Sequence, residues 1–226
     1  MGSISYYVTG TDTGVGKTLV SVALLHALRA AGKTAVGMKP VASGCAATGQ
    51  GWRNEDALAL QAASAPTPIY DLVNPFALPA ATAPQIAAAV AGIDVSLPPI
   101  IAAYRALAKT ADAVVVEGVG GWLAPLADDL EQAQLAAALK LPVILVVSIK
   151  LGCLSHARLS ERAIRSDGLR VAGWVGNAVQ PEMEFAEEYA ALLRRALQSP
   201  CLGFLPHAPD CSPATLAAYL RLPEQG

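Results

Sequence analysis

Along the chain, short apolar runs that end in glycine, lysine, glutamate or asparagine alternate with stretches whose leucines and alanines recur at helical spacing. Residues 4–9 form a β-rich run closed by Gly10. Residues 18–31 follow as a helix, with Leu24, Leu25 and Leu28 on one face and Gly32 as its stop. A second strand is expected over 34–41, then a glycine-rich loop over 43–53, then a helix from Glu55 capped by Asn54. Residues 64–99, dense in proline, alanine and turn formers, predict loops and short helices. The runs at 112–121 and 141–149 are apolar on both faces, as central parallel strands are. A helix over 155–166 then leads to a strand over 169–179, and a helix over 182–197 to a strand over 201–206. This alternation predicts an α/β fold: a central, mostly parallel sheet with helices on both faces, joined by right-handed crossovers.

Composition narrows the picture. A chain of 226 residues needs one core, so a single domain over 1–226 is expected. Hydrophobic residues make up 54% and charged ones 15%, which suits a buried sheet under closely packed helices. The net charge of −2 lacks the basic footprint of a nucleic-acid binder. Cys45, Cys153, Cys201 and Cys211 show no Cys-x-x-Cys spacing, so reduced thiols are expected rather than a zinc site or a disulfide framework. No charged and apolar leader opens the chain and no uncharged stretch is long enough to span a bilayer, which points to the cytoplasm and away from membranes.

The stretch VTGTDTGVGKTLV, residues 8–20, carries the first chemistry. A phosphate loop needs inward-pointing N–H groups, a helix N-terminus behind them, a lysine for the β and γ oxygens and a hydroxyl for Mg²⁺. Gly14, Gly16, Lys17 and Thr18 supply these in order, between a strand and an amphipathic helix. The fold class is therefore P-loop NTPase-like. Thr11 stands where the usual pattern has glycine, so the first turn is built differently. Asp12 occupies the place where the division-site and partition ATPases carry a second, signature lysine, which argues against that group.

Three charged residues fall where they could join the loop. Glu117 ends the run 113–116 at the carboxyl edge of a central strand, either as a second metal ligand or as a carboxylate exposed at a strand end. Asp56, early in its helix, fits a metal ligand or a carboxylate on the helix macrodipole. Lys39 near the end of the second strand fits a catalytic cation or a solvated surface charge, and Ser43 opens the loop beyond it. Asn177 ends another apolar run, and the following Ala178 and Val179 offer no carboxylate to select guanine. That leaves a contact with adenine or a plain strand-end turn.

Taken together, VTGTDTGVGKT, MKPVASG, RNEDALAL, VVEGVGGWLAPL, LPVILVV, KLGCLSHARLS and AGWVGNAV resemble the dethiobiotin synthetase family, over about residues 4–206. The resemblance implies a Mg²⁺-dependent ligase. CO₂ adds to an amine of 7,8-diaminononanoate as a carbamate, ATP phosphorylates it, and the second amine closes the ureido ring. It implies a phosphate loop over Thr13, Gly14, Val15, Gly16, Lys17, Thr18 and Leu19, with Gly118, Val119 and Gly120 beside Glu117. On the same resemblance Lys17 and Lys39 are expected to be the catalytic cations, Thr18, Asp56 and Glu117 the metal ligands, Ser43 a substrate contact, and Asn177, Pro206, His207 and Ala208 the lining of the nucleotide. A homodimer is also implied, in which Gly152, Cys153, Leu154, Ser155 and Tyr189 hold the substrate's carboxylate tail across the interface. The stretch 152–155 equally fits a simple helix cap.

The chain departs from some relatives at Gly14, where they carry glutamate, and at Ala178, where they carry a carboxylate. A switch ATPase acting through a membrane or a partner would want the loop lysine and a basic amphipathic tail, and the chain has neither. An amidoligase of cobyrinate type would want an appended glutaminase domain, for which there is no room.

Overall fold

In the computed structural model, which describes residues 4–181 and 183–224, six parallel strands form one sheet. They are β1 (Ile4–Gly10), β2 (Ala35–Met38), β3 (Ala113–Gly121), β4 (Val143–Ser148), β5 (Val171–Asn177) and β6 (Cys201–Leu205). Their order across the sheet is β6-β5-β4-β1-β3-β2. From β1 the chain steps out to β2, returns to β3 against β1, then crosses to β4 on the other side. Reversal of direction at β1 opens a crevice at the carboxyl ends of β1, β3 and β4.

The continuous apolar runs of β4 and β5 are buried along their whole length, because helices cover both faces. Successive side chains feed opposite cores. Tyr7, Val114, Val116, Leu145 and Trp174 point into one, under the helices α3 (Leu97–Ala108), α4 (Gln132–Leu139), α5 (Cys153–Ser166) and α6 (Ala186–Ala196). Tyr6, Val8, Val115, Val146 and Val175 point into the other, where α1 (Lys17–Ala30) and α2 (Glu55–Ala63) bring Leu24, Leu25, Leu28 and Leu60.

Some expected elements differ. The strand foreseen over 34–41 leaves the sheet at Lys39, whose N–H donates instead to the Val73 carbonyl, and Pro40 has no N–H to continue the ladder. The chain resumes as Val41–Ser43, paired parallel with Phe76–Leu78. The loop foreseen over 43–53 contains an antiparallel pair, Ala46–Thr48 with Gly51–Arg53. Two helices, α3 and α4, were not foreseen; Pro98 sits in the first turn of α3, where a missing N–H costs nothing. The helix expected from residue 182 begins at Ala186, and residue 182 itself lies outside the described residues.

Candidate active site

The phosphate loop bridges β1 and α1. Gly16 caps α1 in the left-handed conformation, at φ 90°, and no side chain caps the helix, so its first N–H groups face outward as an anion cradle. A Cβ on Gly16 would collide with Asn177 Nδ2. Asn177, at the end of β5, donates that amide to the Val15 carbonyl at 2.9 Å and so braces the loop from a strand two places away. Lys17 is buried and donates from Nζ to the Asp12 carbonyl at 2.9 Å. Burial, with help from the nearby Lys39 charge, pushes the Lys17 ammonium down to about 8.

Beside the loop lies a compact charged cluster. Lys39 Nζ donates to Asp56 Oδ2 at 2.9 Å and also to Glu117 Oε1. Thr18 Oγ1 donates to the same Glu117 oxygen at 2.8 Å. Glu117 is wholly buried, and its second oxygen, Oε2, has no hydrogen-bond partner. Burial alone would lower the Lys39 pKa, yet the two carboxylates outweigh it and hold the ammonium above its ordinary value. Burial likewise works to raise Asp56, but the Lys39 charge wins and keeps it below the usual carboxylate range.

These groups share a cavity of about 440 Å³, lined by Thr13, Gly14, Gly16, Lys17, Thr18, Lys39, Ser43, Asp56, Glu117, Val119 and Gly120 among others. Two carboxylates and a hydroxyl are the hard oxygen donors that Mg²⁺ takes. The ammonium held between the carboxylates shows that the pocket is built for positive charge, and the orphaned Glu117 oxygen adds an acceptor still to be satisfied.

Comparison with known proteins shows the family. The family described as "AAA domain" matches residues 5–215. A protein of Xylella fastidiosa (strain 9a5c) named ATP-dependent dethiobiotin synthetase BioD is 60% identical over 222 residues, covering 98% of each chain. One of the same name from Xanthomonas oryzae pv. oryzae (strain PXO99A) is 59% identical over 219 residues, covering 97% of this chain and 98% of that one. The chain belongs to the dethiobiotin synthetase family. It is therefore an ATP-dependent ligase, and the P-loop fold agrees. Among solved structures, the MinC:MinD cell division complex of Aquifex aeolicus matches at 13% identity and TM-score 0.57, covering 95% of this chain and 86% of that one. A Pyrococcus horikoshii MinD bound to Mg-ADP matches at 16% identity and TM-score 0.52, covering 97% and 87%. These last two likenesses concern the fold alone.

The other residues singled out by the dethiobiotin synthetase resemblance are spread more widely. Val15 is buried beneath the loop, while Leu19 and Ala208 pack on the α1 side of the sheet. Gly118 lies behind the cavity, where a Cβ would collide with Gln132. Pro206 and His207 line a second, larger cavity of about 1000 Å³ with Ala178, Phe204 and Arg194, beyond the end of β5. The Arg194 guanidinium lies 4.7 Å from the centre of the Phe204 ring in that cavity. Gly152 to Ser155 form the start of α5, with Gly152 left-handed and Cys153 buried; they line neither cavity, and nor does the half-buried Tyr189.

Several residues that support the site carry no motif. Asn74 donates to the Lys39 carbonyl at 2.7 Å and accepts from the Tyr70 hydroxyl, which in turn accepts from the Asn54 N–H. This network fixes the main chain of Lys39 to the start of α2. An asparagine and a tyrosine in a turn-rich stretch give no sign of such a role in sequence.

Proposed function

We propose that the protein acts as one domain, residues 1–226, converting 7,8-diaminononanoate, CO₂ and ATP to dethiobiotin, ADP and phosphate. The observation that carries the proposal is the single cavity in which the phosphate loop faces Lys39, Asp56 and Glu117. A diamine nitrogen attacks CO₂ and loses a proton to give a carbamate. A carbamate oxygen then takes the γ-phosphoryl group from ATP. The second amine attacks the carbamate carbon, phosphate departs, and the ring closes. Two anions, carbamate and triphosphate, must meet in this sequence, so preorganised positive charge is the main requirement.

Lys17 reaches the phosphates from the loop, and the N–H groups at the start of α1 hold their oxygens. Lys39, on a flexible stem at the cavity wall, meets the carbamate and the transferring phosphoryl group, and Ser43 orients the diamine. Thr18, Asp56 and Glu117 would hold Mg²⁺, which supplies charge neutralisation on the phosphate oxygens. The base lies toward Pro206, His207 and Ala208. Asn177 gives one amide N–H to the Val15 carbonyl and keeps Oδ1, an acceptor suited to the adenine amino group.

In the same reading two copies pair, and the helix start at Gly152 to Ser155, with Tyr189, holds the carboxylate tail of substrate bound to the other copy. The exposure of the neighbouring Leu151 supports an apolar contact there. Four free cysteines, and the lack among the described residues of a helix long and apolar enough to cross a membrane, support a cytoplasmic site of action.

The test uses labelled bicarbonate with the purified protein, Mg²⁺ and ATP. Acid-stable label is expected only when the diamine is present, with one phosphate released per product. Phosphate release at the same rate without diamine would refute the proposal.

A further inference from the structure

Gln132 is wholly buried although it opens a helix, where polar side chains ordinarily face water. Its amide is fully engaged. Oε1 accepts from the Val119 N–H, and Nε2 donates to Thr9 Oγ1 at 3.0 Å and to the Gly121 carbonyl at 2.8 Å. The helix start is itself pinned, because Glu131 and Gln134 form a capping box and the Gln132 N–H donates to the Ala124 carbonyl.

The place it fills is a break in the sheet. β1 and β3 pair regularly as far as Val8 with Glu117 and again at Gly10 with Gly121. Between those points three residues, Gly118, Val119 and Gly120, stand opposite one, Thr9. Such bulges re-aim side chains and leave ladder groups without partners. Gln132 supplies those partners from the side, and Gly118 has no side chain because the amide lies where a Cβ would be. Glu117 is the last residue before the bulge, and Val119 and Gly120 form the cavity wall facing the phosphate loop.

We propose that Gln132 is a positioning residue: its amide sets the bulge, and the bulge aims the Glu117 carboxylate at the metal end of the site. The inference rests on the reading of Glu117 as a metal ligand. Residues outside a ligand set that fix the direction of a ligand commonly tune metal affinity by one to two orders of magnitude.

The test is ADP binding by calorimetry, with EDTA and with Mg²⁺, on the wild type, Gln132→Met and Thr9→Val. Methionine keeps the volume of glutamine and deletes all three side-chain hydrogen bonds. Thr9→Val deletes one and keeps the shape. In EDTA both variants should bind ADP within about twofold of wild type, because the phosphate loop is untouched. The tightening that Mg²⁺ produces should fall about tenfold in Gln132→Met and about threefold in Thr9→Val. If Gln132→Met does not fold, Thr9→Val carries the test. Wild-type tightening in the variants, or an equal loss with and without Mg²⁺, would overturn the proposal in favour of a purely structural amide. A wild type that shows no Mg²⁺ tightening would instead remove the metal reading of Glu117, and this inference with it.

Discussion

Replacing Lys39 with methionine should destabilise the nucleotide-free protein far more than an ordinary surface change. Lys39→Met keeps the length of the stem and deletes the ammonium that Glu117 and Asp56 share. The two halves of the pair weigh differently. The Asp56 side chain is 44% exposed, so solvent screens its contact to no more than about 1 kcal/mol. Glu117 is fully buried, and removing the partner of a buried charge typically costs about 3–5 kcal/mol. For a chain of this size the sum, about 4–6 kcal/mol, corresponds to a fall in melting temperature of roughly 10–20 °C. The sign with pH is fixed by the shifts. Lys39 is raised, so its contribution is present below the ordinary lysine value and lost as pH rises through the elevated one. Asp56 is lowered, so its contribution is present above the ordinary carboxylate value and lost as pH falls through the depressed one. At pH 7 both operate fully. Thermal unfolding in EDTA at pH 7 measures the loss, and Mg²⁺ should restore more of it in the variant than it adds to wild type. The double variant Lys39→Met/Glu117→Gln should recover most of the stability, because no uncompensated buried charge remains. A single variant melting within about 2 °C of wild type in EDTA, or a double variant no better than the single, would refute the account of the cluster.

Gly16→Ala should raise the KM for ATP at least about tenfold, because the new methyl must displace the Asn177 amide from a left-handed position that disfavours a side chain. An unchanged KM in steady-state kinetics would show that the brace from β5 is dispensable. Lys17 titrates near 8 in the free protein, so binding of the phosphates, which favours its charged form, should take up a proton. Above that pH the affinity for ATP should decline. At pH 8.5 the calorimetric enthalpy should then vary with the ionisation enthalpy of the buffer, and buffer independence would refute it. The same depressed value means that Lys17 lends stability as pH rises from about 8 toward the ordinary lysine value near 10.4.

Lys39 and Glu117 were legible in the sequence because each closes an apolar run, and Lys17 and Thr18 because they stand between a strand and an amphipathic helix. Asp56, early in its helix, fitted a carboxylate on the helix dipole equally well until the family resemblance singled it out. Lys17 and Thr18 follow β1, Glu117 falls within β3 just past its apolar run, and Lys39 stands where β2 leaves the sheet. Parallel strands put such ends on one edge, so distance along the chain did not hide them. Gln132 could not be found that way. Its partners are set by a bulge in β3 and by Thr9, 123 positions away, and no local pattern announces either. The helices α3 and α4 were hidden for a different reason. Alanine-rich segments show weak periodicity, and the prolines opening α3 read as turn residues until the missing N–H is placed in a first helical turn.

The reversal of chain direction at β1 divides the molecule into two territories. The charged cluster hangs from β2, β3 and the loop after β1, on one flank of the sheet. The larger cavity hangs from the ends of β5 and β6 on the opposite flank, and Asn177 ties that flank to the loop. Under the placement of the base proposed above, the two ends of the nucleotide are held by separate parts of the fold. Under that placement, substitutions around Pro206 and His207 would alter which base is favoured and leave Lys17, Lys39, Asp56 and Glu117 where they are.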